Sequence, residues 1–354
     1  MVLPGRAMGE KRIAGRGLRG EKFEWQNMKL LLIGIGRWGA NHLRVLHSLP
    51  VELFVSELDG PRLENARKLG IAESHLAADY KEFAAQADAV VIVTPAPTHY
   101  PLGREFLEAG KDVFIEKPLT LSPEEAKELA EMADRTGRIL QVGHIFRYDP
   151  ASRWIREAMQ EGKFGGVRIL RGHFGGFKRP RNDSGVMFAD GIHFVDLFNY
   201  FLKATPRSVL AIEHDFMGRG MEDVSLLSLE YDTALGRTWA VVENDYFYPG
   251  KFREVIVVGE KCSAVCDYNV AQYKIKLHEN RHVRDGNDFK GVEGAVRQVE
   301  CPPEEPLLAE LRAFLKSAQT RERPLADGWA GYDAVRVLDA ALESARSGQA
   351  VKLK

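Results

Sequence analysis

The sequence predicts an α/β protein. A doubly wound parallel sheet comes first, followed by a second α+β domain with a mostly antiparallel open sheet. Three observations lead there. Up to about residue 147, short and fully apolar runs such as Leu30–Ile33 alternate with helical segments. Beyond Pro150 the strands lengthen and alternate in polarity. The chain has 354 residues, 45% apolar and 28% charged, which is room for two such units.

Taken in order, residues 30–33 form a strand that ends in Gly34-Ile35-Gly36-Arg37-Trp38-Gly39. Ala40–Leu49 has helical spacing, and Val51–Val55 is the next strand. Arg62–Leu69 is a helix stopped by Gly70, and Ala89–Val93 is an apolar strand closed by Thr94-Pro95. Leu102–Ala109 is helical, Val113–Ile115 is a strand, and Ser122-Pro123 opens a helix as cap and first-turn proline. Ile139–Val142 is the last strand of the series. Strands buried on both faces and separated by helices imply a parallel sheet covered on both sides. After the helix Ser152–Gln160, strands are expected at 167–174, 207–216, 223–231, 236–246, 252–259, 263–268 and 272–278. Helices are expected at 190–202, 307–319 and 332–347, with Asp285–Glu305 as a surface loop. The expected division is an N-terminal extension over 1–27, a first domain over 28–147 and a second over 148–354.

Composition excludes several classes. A net charge of -1 does not suit a protein that coats nucleic acid. No apolar run approaches the ~18 residues that span a bilayer. Three cysteines make no disulfide framework, and an odd number suits a reducing cytoplasm. Residues 1–27 are rich in Gly, Arg and Lys and have no apolar core, so no secretory signal is expected there. They read as a flexible basic arm, or as an over-long start ahead of Met28.

The glycines at 34, 36 and 39 follow a strand and open a helix, which is the context a dinucleotide-binding turn needs. Gly34 permits the turn, Gly36 leaves the backbone open to a pyrophosphate, and Gly39 lets helix and strand pack closely. Free N–H groups at the helix start favour phosphate. Glu57, at the end of the second strand, is placed for the adenosine ribose and would repel a 2′-phosphate, so NAD is favoured. Arg37 and Arg62 lie near enough to leave NADP open.

More specific runs follow: Val93-Thr-Pro-Ala-Pro-Thr-His-Tyr100, Leu107 to Leu119 with Glu116-Lys117-Pro118, Gln141 to Pro150, and Asp190-Gly-Ile-His193-Phe-Val-Asp196. Together with the tail 343–351 they resemble the glucose–fructose oxidoreductase, inositol dehydrogenase and rhizopine-catabolism (Gfo/Idh/MocA) family over residues 29–352. The cradle over 34–44 is most similar to its UDP-N-acetylglucosamine 3-dehydrogenase branch. The resemblance implies NAD(P)-dependent oxidation of a secondary hydroxyl of a sugar, polyol or nucleotide sugar. Separately, the open face of the antiparallel second-domain sheet offers a subunit contact, so a homodimer or homotetramer through it is expected. By motif, Lys117 is the lysine beside the nicotinamide and His193 the second active residue. A cation there stabilises developing alkoxide, and a neutral imidazole accepts the hydroxyl proton. The family aspartate, four residues before the histidine, is Ala189 here, so Asp190 is the candidate replacement. The expected cofactor contacts are Gly34, Ile35, Gly36, Arg37, Trp38, Gly39, Glu57, Thr94, Pro95, Pro97, His99, Glu116 and Lys117. Arg147 and Tyr148 are expected, with Asp190 and His193, on the substrate. A dinucleotide-binding regulator and a dihydrodiol or tetrapyrrole reductase are the alternatives.

No zinc-like spacing is found among the cysteines, so no metal is expected and buried thiols are. His42 and His47 read as surface histidines. The basic, aromatic segment from Phe174 to Arg181 reads as a loop over the substrate.

Overall fold

The computed structural model describes residues 28–353; the N-terminal extension and the readings made of it lie outside the described residues. Six parallel strands form the first sheet: β1 Lys29–Ile33, β2 Glu52–Ser56, β3 Leu76–Ala77, β4 Ala89–Ile92, β5 Asp112–Ile115 and β6 Leu140–Val142. Their order is β3-β2-β1-β4-β5-β6. The order reverses between β1 and β4, and in such sheets ligands bind outside the carboxyl ends at that switch. Leu31 and Ile33 of β1 face one apolar cluster, and Leu30 and Leu32 face the other. Burial on both faces is why these strands read as unbroken apolar runs. The connecting helices are α1 Gly39–His47, α2 Gly60–Lys68, α3 Lys81–Ala84, α4 His99–Glu108 and α5 Pro123–Thr136.

α6, Pro150–Gln160, leads into a nine-stranded mixed sheet. Its main strands are β7 Val167–Gly176, β8 Ser208–His214, β9 Val224–Thr233, β10 Gly236–Asp245, β11 Lys251–Gly259, β12 Ser263–Asp267 and β13 Ile275–His278. Only the β7–β10 pairing is parallel. A π-helical turn, Met187–Gly191, runs into α7, Ile192–Leu202, which is apolar on almost every side and buried. A helix of that composition belongs in a core.

The expected loop over 285–305 is instead partly strand. β14 Arg281–Asp285 and β15 Asp288–Val292 form an exposed hairpin, and β16 Val296–Val299 joins the large sheet beside β13. The two residues between β14 and β15 are Gly286, at φ 63°, and Asn287, a turn pair suited to hairpins. Neither hairpin strand buries a face, so no apolar alternation announces it. α8, Pro306–Thr320, turns back to the first sheet and packs Leu307, Leu311, Phe314 and Leu315 into its cluster. α9, Gly328–Ser347, and the edge strand β17, Val351–Lys352, complete the chain. Among the described residues, no helix is long and apolar enough to cross a membrane.

Candidate active site

A cleft of about 1420 Å³ opens along the carboxyl ends of the first sheet, with the second unit as its far wall. β1 enters it at Gly34, held at φ 88° by the turn, whose N–H donates to Ser56 O at 2.8 Å. A Cβ on Gly39 would stand 2.2 Å from Gly34 O, so helix and strand touch here only because residue 39 has no side chain. At Gly36 the nearest atom to such a Cβ is Arg62 Nη1 at 3.5 Å, and the backbone lies open to the cleft. No side chain caps the start of α1. Glu57 Oε2 accepts from Ile35 N–H at 2.8 Å and Oε1 from Asp59 N–H at 3.0 Å. A carboxylate has about four acceptor positions, so capacity for two ribose hydroxyls remains. These features fit an NAD adenosine diphosphate.

Of the residues expected on the cofactor, Arg37, Trp38, Thr94 and Pro95 line the cleft, but Ile35, Gly39, Pro97 and His99 do not. Ile35 contributes only backbone to the Glu57 contact. Pro97 is exposed to solvent. His99 is buried behind the loop, its Nδ1 2.7 Å from Pro118 O and its Nε2 2.9 Å from Thr94 O. It ties the turn after β4 to the turn after β5, so its effect on a ligand passes through Thr94 and Pro118.

Glu116 organises the cleft floor. Its Oε1 accepts from Trp38 Nε1 and meets His42 Nε2, each at 2.8 Å, while Oε2 accepts from Lys117 N–H at 3.1 Å. Burial works against its charge, yet His42, Lys117 and Trp38 together hold its pKa below the ordinary value. His42 is therefore no surface histidine: it is fully buried, wedged edge-on against Phe114. His47 is exposed, as expected.

Lys117 follows β5, and its peptide bond to Pro118 is cis. Its Nζ donates to Ala189 O at 2.5 Å, across to the second unit. The position with no aspartate thus holds the lysine with its backbone carbonyl. Burial and the neighbouring Arg181 bring the ammonium down to about 8. His193, on the first turn of α7, lines the same cleft and stacks on Phe174 at 5.2 Å between centroids. Burial, then the charge on Lys117, pushes its pKa well below the usual histidine range, and its Nδ1 has no partner. Asp190 also lines the cleft, but it bonds Lys178 rather than Lys117 or His193.

Arg147 and Tyr148 are not on the cleft. Arg147 bonds Asp196 through Nε and Nη2 at 2.6–3.0 Å and Leu325 O through Nη1 at 2.6 Å. All three of its nitrogens bond inside the fold, and the side chain is not part of the cleft lining. Tyr148 is buried away from the cleft. The basic loop does reach the site. Lys178 pairs with Asp190, and Arg181 forks onto Asp183 with two contacts of 2.7 Å. Asp183 in turn accepts from Ala96 N–H at 3.3 Å, closing the loop onto the first unit. The sequence reading missed Arg253 of β11, which also lines the cleft. It shares strand parity with the buried Val255 and Val257, so a charge on an inward face was the available signal. Among the described residues, no group of three or more His, Cys, Asp or Glu is placed to hold a metal ion, and all three cysteines are buried free thiols.

Two family models cover nearly all of the described chain. The oxidoreductase family, NAD-binding Rossmann fold, matches residues 28–144, and its C-terminal alpha/beta domain matches 156–353. The chain belongs to the Gfo/Idh/MocA oxidoreductase family. Its first domain is this family's NAD-binding Rossmann domain. It is 28% identical to the UDP-N-acetylglucosamine 3-dehydrogenase of Acidithiobacillus ferrooxidans, over 90% of this chain and 96% of that protein. It is 32% identical to a Bacillus subtilis scyllo-inositol 2-dehydrogenase (NAD(+)), over 58% of this chain and 64% of that one. The crystal structure of the Acidithiobacillus enzyme superposes with a TM-score of 0.75 at 25% identity, covering 91% and 97% of the two chains. A levoglucosan dehydrogenase in complex with NADH and levoglucosan shares the fold, with a TM-score of 0.78 at 19% identity, covering 92% and 99%.

Proposed function

We propose that this protein oxidises a secondary hydroxyl of a sugar, polyol or nucleotide sugar to a ketone, with NAD preferred over NADP. The carrying observation is that Lys117 and His193 border one cleft with the glycine cradle. NAD, when bound, supplies the hydride acceptor. Glu57 would engage the adenosine ribose, and its carboxylate is the basis for the NAD preference. The sequence reading gave the hydroxyl proton to His193. The order of pKa values favours Lys117 instead, since a base works best when its pKa is near the working pH. In this reading the amine of Lys117 takes the proton from the hydroxyl oxygen. His193, neutral, hydrogen-bonds that same hydroxyl and fixes its direction. Ala189 O holds Nζ at the reacting oxygen, and Asp190 keeps Lys178 in the wall. A sensor would have no use for a lysine tuned in this way.

The test is NADH formation from a panel of inositols, hexoses and UDP-sugars. Oxidation should rise with pH through about 8, and Lys117→Ala should lower kcat far more than it weakens NAD binding. Equal loss of both would refute the role. Copies are proposed to pair through the open sheet face, where Leu210, Ile212, Leu226 and Trp239 are exposed. Trp239→Glu should then reduce the sedimenting mass. The buried free thiols suit a reducing cytoplasm.

A further inference from the structure

Arg253 is on the cleft wall but is not used by the mechanism above. Its guanidinium carbon lies 4.3 Å from the centroid of Phe174, and the imidazole of His193 stacks on that same ring. Arg253, Phe174, His193 and Lys117 all line the one cleft, so the guanidinium borders the space that holds the substrate. Among the described residues Arg253 forms no ion pair, and its buried Nη1 has no hydrogen-bond partner. The nearby carboxylates and the Lys117 ammonium are already engaged. Lys178 holds Asp190, Arg181 holds Asp183, and Lys117 donates to Ala189 O. Asp190 is the one carboxylate whose field supports the guanidinium, and its Oδ2 is bonded to Lys178.

A half-buried guanidinium with an unfilled donor costs free energy, and a wall meant only for neutral sugar hydroxyls would be served by an amide or a hydroxyl. Arginine presents a planar fork of donors that matches a carboxylate or a phosphate with two parallel bonds. Arg179 and Lys251 line the outer part of the same wall, so the field there is positive on the approach as well.

We infer that the substrate carries an anionic group, a carboxylate or a phosphate, which Arg253 holds while a secondary hydroxyl of the same molecule faces Lys117 and His193. This rests on the dehydrogenase reading and narrows it to sugar acids and to sugars carrying phosphate. The anion fixes the molecule at one end, so the hydroxyl at the other end is the one oxidised. Polyols without charge would be slow or unselective substrates.

The test is calorimetric titration of the NAD-loaded protein with D-glucuronate, UDP-N-acetylglucosamine and myo-inositol, with NADH formation recorded for each. Wild type, Arg253→Gln and Arg253→Lys are compared, and NAD affinity is measured first to report a folded cleft. At least one anionic probe should bind wild type better than myo-inositol does. Arg253→Gln should lower that affinity by about 10–100-fold and bring the anionic and neutral probes together. Arg253→Lys should retain part of the preference, and it carries the comparison if Arg253→Gln does not fold. Glucuronate as the responsive probe identifies a sugar acid, and UDP-N-acetylglucosamine identifies a phosphate. The inference is overturned if neither anion binds, if myo-inositol binds as well as both, or if the variants leave anion affinity unchanged. Arg253-dependent binding of an anion with no NADH formed would sustain the anion site and count against the dehydrogenase reading.

Discussion

Lys117→Met should make the protein more stable at pH 7 while stopping turnover. The folded environment lowers the ammonium from 10.5 to about 8. At about 1.36 kcal/mol for each pH unit, holding that charge in the cleft opposes folding by about 3 kcal/mol. Part of the side chain still faces the cleft, and solvent screening there reduces the figure to about 2 kcal/mol. Losing the bond to Ala189 O takes back roughly 1 kcal/mol. The net gain for the variant is about 1 kcal/mol. Its sign depends on pH. Between about 8 and 10.5 the unfolded chain keeps the proton that the folded chain has shed, so wild-type stability climbs relative to the variant. Above 10.5 the advantage of Lys117→Met is gone. Urea unfolding followed by tryptophan fluorescence, on both proteins from pH 7 to pH 10.5, measures the gap. A gap that stays flat over that range, or a variant that is weaker at pH 7, would refute the account of a lysine held against its charge.

Gly36→Ala and Gly39→Ala should separate ligand binding from folding. Gly39→Ala meets Gly34 O and should cost several kcal/mol in thermal unfolding, whereas Gly36→Ala should leave the melting temperature almost unchanged and weaken NAD at least tenfold. Glu57→Gln removes the charge that repels a 2′-phosphate, so the ratio of NAD to NADP affinity should fall about tenfold in fluorescence titrations. Asp196→Ala strands the buried guanidinium of Arg147 and should destabilise by about 3–5 kcal/mol in urea melts, with little change in NAD affinity of the folded protein.

Much of the frame could be read from local pattern. Strands such as Leu30–Ile33 and Ala89–Ile92 are buried on both faces, and that burial writes itself as a run of apolar residues. The cradle and Lys117 were legible because each follows such a strand directly. What could not be read depends on partners distant in the chain. His42 counts as polar on any helix wheel, and only Glu116, from another strand end, makes it a core residue. Arg147 resembled a substrate ligand until Asp196, on α7, occupied its donors. Asp190 lines the cleft with His193, but it does so from a π-helical turn, and helix spacing says nothing of Lys178, which comes from a loop. Arg253 went unremarked because a strand of mixed polarity does not say which of its charges face inward. The hairpin over 281–292 was missed for the opposite reason, as it buries nothing.

The return of α8 to the first sheet has a consequence for how the chain is made. Phe314 rests against Phe114, Gln141 donates to Glu310 O, and Arg321 pairs with Asp112, so residues beyond 300 finish a face begun before residue 60. A ribosome delivers the nucleotide-binding half long before that cover emerges. Until then Phe114 lacks the ring it packs against, and the nascent half must wait, partly covered by α1 and α2, for its last piece. Cutting the gene after the sixth parallel strand would not release a ready-made NAD module, but a sheet with part of one side unroofed.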